Sequence, residues 1–307
     1  MRLCAMVMAS LATVAAMAGE WGLHWIHHPE ADSTDQILFV REVQMDSRPL
    51  AACVSMACEG RFALYVNGYN VTTDVLEPAC RVGIDTVAVV GYDVARYMKE
   101  GANVLAVWYS PVGNCASTCR QLSLTLSGKD ASHCDFAFRA DGSWLCRKAG
   151  CRTLPDGGEV VDATLCDPMW AVDAQPSPDW LPVAEAEGLG VKTVVQRPMW
   201  HVATRVGRIE PFVPLVQEGQ RCTSVLPTCG EGWVRLTMRG MQRGDTVAVN
   251  GLSYVCSGDT DEQACRRFTA SPLCGVEITL PPGRPLSCLT NVETITLQRY
   301  VRREAWW

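Results

Sequence analysis

Apolar and polar residues alternate with period two along most of this chain, in short runs. Phe62, Leu64 and Val66 share one face of such a run, with Ala63 and Tyr65 on the other. Leu122, Leu124 and Leu126 alternate with Gln121, Ser123 and Thr125, and Phe136 and Phe138 flank Ala137. Val234, Leu236 and Met238 alternate with Arg235 and Thr237, and Ile295 and Leu297 with Thr294, Thr296 and Gln298. Side chains of a strand point to opposite faces in turn, so each run reads as a strand. Turn residues bound the runs: Asn67-Gly68, Gly128-Lys129-Asp130, Asn250-Gly251 and Pro281-Pro282-Gly283. Helical signal is scarce. Asp93 to Lys99 offers about two turns, which Asp93 would cap and Gly101 would end. The expectation is an all-β fold, and the regular spacing of strands favours sandwiches.

At 307 residues the chain has room for about two domains of ordinary size. The pattern is interrupted from Ala174 to Gly190, where Pro176, Pro178 and Pro182 meet an acidic Ala/Glu/Gly run. Strand patterns resume at Val191 to Gln196 and near His201 to Val206. The interruption therefore reads as a long loop near the end of a first sandwich, residues 19–206, with a second, shortened sandwich over residues 207–307.

The N-terminus reads as an export signal of residues 1–18. Met1-Arg2 is positive, Leu3 to Ala15 is apolar, and Ala16-Met17-Ala18 has the small-x-small form that signal peptidase cuts. Nothing later reaches the roughly 20 apolar residues of a membrane span. The expected location is periplasmic or extracellular, where disulfides are permitted. Cleavage removes Cys4 and leaves fifteen of the sixteen cysteines, an odd number. Cys53/Cys58, Cys115/Cys119, Cys146/Cys151 and Cys222/Cys229 are close enough to be candidate pairs, though spacing does not settle connectivity. Cys53, Cys134 and Cys256 sit in strand patterns, where a thiol also packs as a small hydrophobe.

Several chemistries find no support. The net charge is −6 with no basic run, which argues against nucleic acid. There is no C-x-x-C and no Cys/His cluster at zinc spacing, and His24, His27 and His28 lack regularly spaced acidic or Cys partners. No Gly-x-Ser-x-Gly elbow is present. Glycoside hydrolysis needs two carboxylates about 5–10 Å apart. Glu159 with Asp162, and Asp259 with Asp261 and Glu262, are the pairings to weigh. The first would converge only if its Gly-rich segment turns. The second reads as a solvated loop, with a structural calcium ion as the minority alternative. No cofactor or catalytic metal is expected.

Tryptophan is the remaining chemical resource, with ten in the chain. A flat indole suits the apolar face of a sugar ring. Trp25, Trp108, Trp144 and Trp233 lie in or beside strand patterns and read as core. Trp170, Trp180 and Trp200 lie near Pro-rich or loop-like sequence, which makes them candidates for ligand contact alongside packing. Trp306-Trp307 form a tail that is either docked or exposed.

Two sets of motifs carry a family resemblance. Phe62-Ala-Leu-Tyr-Val-Asn-Gly68, followed by Tyr92-Asp-Val-Ala-Arg-Tyr-Met-Lys-Glu-Gly-Ala-Asn-Val-Leu-Ala-Val107, resembles the jelly-roll sugar-binding domains attached to glycoside hydrolases. Asp141-Gly-Ser-Trp144, Gly157-Gly-Glu-Val-Val-Asp-Ala163, Trp170 and Pro178-Asp-Trp180 then stand in the order of the N-terminal domain of bacterial α-L-rhamnosidases. Gly232-Trp-Val-Arg-Leu236, Gly244-Asp-Thr-Val247, Tyr254-Val-Cys-Ser-Gly258 and Arg267-Phe-Thr269 resemble the second β-sandwich of those enzymes. The resemblance implies two jelly-roll-like, galactose-binding-like sandwiches. It also implies that Glu159 and Asp162 belong to the accessory domain, not to a catalytic pair. The family's acid and base sit in a following helical barrel, and about one short helix is legible here. The expectation is thus a non-catalytic carbohydrate-binding accessory protein. Trp170, Trp180, Trp200, Glu159 and Asp162 are its candidate contacts for a glycan, with a rhamnose-containing glycan as one option. The alternatives are a glycosidase remnant that needs a separate catalytic chain, and a purely structural interaction module.

Overall fold

The computed structural model describes residues 24–72, 74–76, 86–111, 121–172, 178–186, 193–196, 200–211 and 216–303. The expected export signal, the Cys115/Cys119 pair and Trp306-Trp307 lie outside them. The fold is all-β, and its described strands form two sheets. The smaller sheet has the order Ala184–Ala186, Trp25–His27, Gln121–Lys129, Ala51–Cys58, Thr86–Asp93 and Thr193–Gln196, with Asp135–Arg139 also paired to Gln121–Lys129. The larger runs Trp200–Pro211, Leu289–Arg303, Arg221–Arg239, Ser271–Thr279, Thr246–Val249, Leu252–Val255, Glu159–Asp162, Leu145–Thr153, Asp35–Met45, Gly101–Ser110, Arg61–Val66 and Tyr69–Asn70.

Three apolar clusters follow from strand parity. Ile37, Phe39, Leu64, Leu105 and Val107 on the larger sheet meet Val54, Met56, Leu122, Leu124 and Leu126 on the smaller one. This is a sandwich core, held by face-to-face burial of apolar area. Leu38, Val40, Val104 and Ala106 point the other way and are covered by Ala149, Cys151, Trp170 and Trp180. Asp35–Met45 therefore carries buried residues on both faces, which is why Ile37-Leu-Phe-Val40 is continuously apolar. The third cluster gathers Val234, Leu236, Met238, Val247, Leu252 and Ile278.

The predicted hairpins form where expected. Asn67 and Gly68 take φ of +52° and +82°, and Asn250 and Gly251 take +42° and +80°. Two successive left-handed residues match the twist of the flanking strands. The predicted helix at 93–99 shrinks to one 3-10 turn, Ala95–Tyr97. Asp93 still accepts from the Ala95 amide at 3.1 Å, but Gly101 opens a strand instead of ending a helix. The segment read as a loop around Pro182 also contributes pairing. Leu181–Pro182 lies against Leu145–Thr153, and Ala184–Ala186 against Trp25–His27. The strand Trp200–Pro211 runs through the position after Val206, with a register shift between Val206 and Arg208.

Cysteine pairing departs from the sequence expectation. Cys229 bonds Cys274, while Cys53, Cys146, Cys151 and Cys222 are free. Cys53/Cys58 and Cys146/Cys151 each lie on a single strand at odd separation, so their members face opposite ways, while the register shift between Val225 and Gly230 separates Cys222 from Cys229. Cys146 thus enters the first core and Cys151 the cluster behind it. The disulfide instead joins neighbouring strands.

The two signature motifs near Asn67 and Asn103 meet in one buried amide network. Asn103 is fully buried; it accepts from Asn67 and the Lys99 amide at 2.9 Å each and donates to the Lys99 carbonyl at 2.7 Å. Asn67 donates to the Tyr97 carbonyl at 2.8 Å and accepts from the Val104 amide at 2.9 Å. Removing either amide leaves buried backbone groups without partners. Asn103→Ala is expected to cost about 2–4 kcal/mol by urea unfolding, whereas the exposed Gln44→Ala stays within about 0.5 kcal/mol. Equal midpoints for the two variants would show the network to be dispensable.

Candidate functional site

Glu159–Asp162 is the strand on which the larger sheet turns from one half to the other. It pairs antiparallel with Leu145–Thr153 and parallel with Leu252–Val255, from Glu159 opposite Leu252 to Asp162 opposite Val255. Residues three apart on a strand point to opposite faces, so Glu159 and Asp162 diverge.

Glu159 is 1% exposed, and its carboxylate is filled with donors. It accepts from the Phe268 amide at 2.9 Å, the Thr269 amide and hydroxyl at 2.7 Å each, and the Arg267 amide at 3.2 Å. Arg266 fastens the same loop, donating to the Thr269 hydroxyl at 3.0 Å, to the Asn250 carbonyl at 3.2 Å and to the Gly157 carbonyl. Arg61 reaches the Phe268 carbonyl from the strand Arg61–Val66. Asp162 acts locally. It accepts from the Thr164 amide at 3.0 Å and hydroxyl at 2.6 Å, capping the 3-10 turn Ala163–Leu165.

The loop held by Glu159 carries Arg267 and Phe268 onto Trp108. The Arg267 guanidinium lies 4.3 Å from the Trp108 ring centroid and donates to the Tyr65 hydroxyl at 3.1 Å. Phe268 and Trp170 pack edge-on to Trp108, with centroids 5.9 and 6.0 Å away, and Tyr65 is 5.2 Å from Trp170. The Trp108 indole N–H donates to Gln36 at 2.9 Å. Beside this cluster opens a cavity of about 410 Å³, whose lining includes Gln36, Trp108, Asp167, Asp259, Gln263 and Arg267.

Its acidic wall is largely committed to the fold. Glu262 is buried and accepts from the Ser257 and Gly258 amides at 2.8 Å each and from the Tyr254 hydroxyl at 3.2 Å. Burial first, and then Glu262, push the Tyr254 hydroxyl up. Asp261 makes a two-point contact with Arg239 at 2.7 and 2.9 Å. Among the described residues no group of three or more His, Cys, Asp or Glu converges as a metal site. His24, His27 and His28 make separate contacts, to Arg139, the His28 carbonyl and the Glu30 amide respectively.

Of the sequence-derived contacts, Glu159 and Trp170 line this cavity, whereas Trp180 and Asp162 do not. Trp170 and Trp180, each 8% exposed, cover the face of Asp35–Met45 and Gly101–Ser110 that carries Leu38, Val40, Val104 and Ala106, and Arg147 lies 5.1 Å from the Trp180 ring centroid. Trp200 opens Trp200–Pro211, paired with Arg303, and its side chain lies outside what is described. Trp25, Trp144 and Trp233 are buried, as expected of core. Trp108, read as core, is partly open and lines the cavity. Its partner Arg267 does not stand out in the sequence as a site residue, although Arg267-Phe-Thr269 does as a motif.

Such a sheet pair, with a cavity opening beside Trp108 and Arg267, defines an all-β sandwich protein. The family described as the α-L-rhamnosidase N-terminal domain matches residues 47–203, and the chain belongs to it. An α-L-rhamnosidase from Dictyoglumus thermophilum is 17% identical with a TM-score of 0.80, over 91% of this chain and 36% of that one. The enzyme from Aspergillus terreus is 18% identical with a TM-score of 0.74, over 90% and 36%. That from Streptomyces avermitilis, complexed with L-rhamnose, is 18% identical with a TM-score of 0.73, over 86% and 29%. This chain spans about a third of their length. A search of curated proteins finds no match. No helix among the described residues is long and apolar enough to cross a membrane.

Glu159→Gln turns one acceptor oxygen into a donor facing backbone N–H groups. The expected loss is about 3 kcal/mol in urea unfolding, because buried amides lose a charged acceptor. Trp180→Ala is expected to cost about 3–5 kcal/mol by opening the outer cluster. Full stability in both variants would mean that these side chains are held for another purpose than packing.

Proposed function

We propose that this chain is an exported, non-catalytic carbohydrate-recognition protein and that the seam cavity receives the sugar. The supporting observation is the cavity itself. It sets aromatic surface at Trp108 and Trp170 beside Gln36, Asp259, Gln263 and Arg267, a mixture of apolar faces and polar groups suited to sugar C–H and O–H groups. Membership of the rhamnosidase N-terminal family and the L-rhamnose complex of one structural relative make a rhamnose-containing glycan the ligand to try first.

The non-catalytic part of the reading rests on the carboxylates. A glycosidase acid must release a proton and its partner must attack or deprotonate. Glu159, Glu262 and Asp261 are instead occupied as acceptors from backbone, hydroxyl and guanidinium donors. A structural scaffold is the second reading, and burial of Trp25, Trp144, Trp170, Trp180 and Trp233 favours it.

Calorimetric titration of the chain with L-rhamnose and rhamnose-containing oligosaccharides, run beside a glycan array and an aryl-rhamnoside assay, separates the readings. Expected are glycan binding, at least about tenfold weaker binding in Arg267→Ala, and no hydrolysis. Turnover abolished by Glu159→Gln in a folded protein would sink the non-catalytic reading. Folded chain that binds no glycan would leave the scaffold.

A further inference from the structure

Cys151 and Cys166 form a thiol pair that serves neither the disulfide at Cys229 nor the polar contacts of the cavity. Cys151 lies on Leu145–Thr153 and is 3% exposed, whereas Cys166 follows the turn Ala163–Leu165 and is exposed. Gly150 brings them together. Its φ is +70°, and a β-carbon there would stand 2.8 Å from the Leu165 β-carbon and 3.2 Å from the Asp162 carbonyl oxygen. The missing side chain lets the turn lie directly on the strand, one residue before Cys151. Asp162 caps the turn and the Cys166 amide closes it on the Ala163 carbonyl at 3.3 Å. Cys151 pairs with Val161, the Cys166 thiol donates to the carbonyl of the next residue, Asp162, at 3.5 Å, and both cysteines line the same cavity.

We propose that Cys151 and Cys166 are a reversible dithiol–disulfide pair, with Cys166 the attacking thiol and Cys151 the resolving one. The electrostatics divide the roles in the same way. The neighbouring Cys151 thiol, helped by Arg147 and Arg267 against burial and Asp162, brings the Cys166 thiol down to about 7. The Cys166 thiol beside it, together with burial, pushes the Cys151 thiol well up. An exposed thiolate beside a buried partner is the arrangement that reacts first and is then resolved.

The co-reactant is a small or protein disulfide. The Cys166 thiolate attacks one of its sulfurs, forming a mixed disulfide and expelling the other sulfur as a thiolate. Cys151 gives its proton to that thiolate and attacks the Cys166 sulfur, which expels the second. The pair loses two electrons and two protons, and the oxidant leaves as two thiols. Asp167, Pro168 and Trp170 follow Cys166 directly and line the cavity, so the bond ties that wall to the strand. None of this depends on what the cavity binds.

Oxidation of the chain with oxidised glutathione, followed by alkylation, trypsin digestion and mass spectrometry, tests the proposal. Expected is a cross-link joining peptides 149–152 and 153–192. Cys151→Ser should hold Cys166 as its glutathione mixed disulfide, and Cys166→Ser should leave Cys151 unmodified. Before oxidation at pH 7, Cys166 should alkylate at least about tenfold faster than Cys53, an exposed thiol that burial of its sulfur pushes up. Absence of the cross-link, a bond from either thiol to another cysteine, or equal alkylation of Cys166 and Cys53 overturns it.

Discussion

The carboxylate of Glu159 holds together two parts of the chain more than a hundred residues apart. It lies on a strand that both halves of the larger sheet share, and it takes the amides of Arg267, Phe268 and Thr269 from a loop of the other half. A loop that turns inward exposes N–H groups with no strand to receive them, and a buried charge needs donors. Each requirement answers the other. The parallel pairing of Glu159–Asp162 with Leu252–Val255 is only four residues long, so backbone hydrogen bonds alone give it little hold. Arg61 and Arg266 extend the contact through carbonyls of the same region.

The site inherits its shape from that contact. Once Thr269 and Phe268 are fixed, Arg267 has one direction left, over the Trp108 ring and toward Tyr65. Trp170 closes the cluster from the segment that follows the Asp162-capped turn. Glu159 and Asp162 thus shape two walls of the cavity from opposite faces of one strand.

The features legible in the sequence are the local ones. Strands with one buried face show their parity, so Phe62-Leu64-Val66 and Leu122-Leu124-Leu126 can be read directly, as can the Asn-Gly hairpins. Asp35–Met45 hides its alternation because both faces are covered. The same parity that marks strands defeats the cysteine pairs drawn along them. Glu159 and Trp170 stand out in the sequence, but their roles depend on Phe268 and Trp108, which no spacing connects to them. Trp108 reads as core because its strand is core; the opening beside it exists only through a distant loop.

Anchoring and catalysis make opposite demands on a carboxylate. An acid catalyst must carry a proton part of the time, and a protonated Glu159 would present a hydroxyl to amides that can only donate. Loss of one acceptor there would loosen the loop that carries Arg267, so a protonation cycle at Glu159 would dismantle the cavity it was meant to serve. Glu262 is under the same constraint from the Ser257 and Gly258 amides. The polar groups exposed at the cavity include Asp259, which accepts from the Ser257 hydroxyl at 2.8 Å, Gln263, and the guanidinium of Arg267, which also meets Trp108 and Tyr65. These can hydrogen-bond the hydroxyls of a ligand without disturbing the contacts of the buried carboxylates, which is what the proposed recognition role requires.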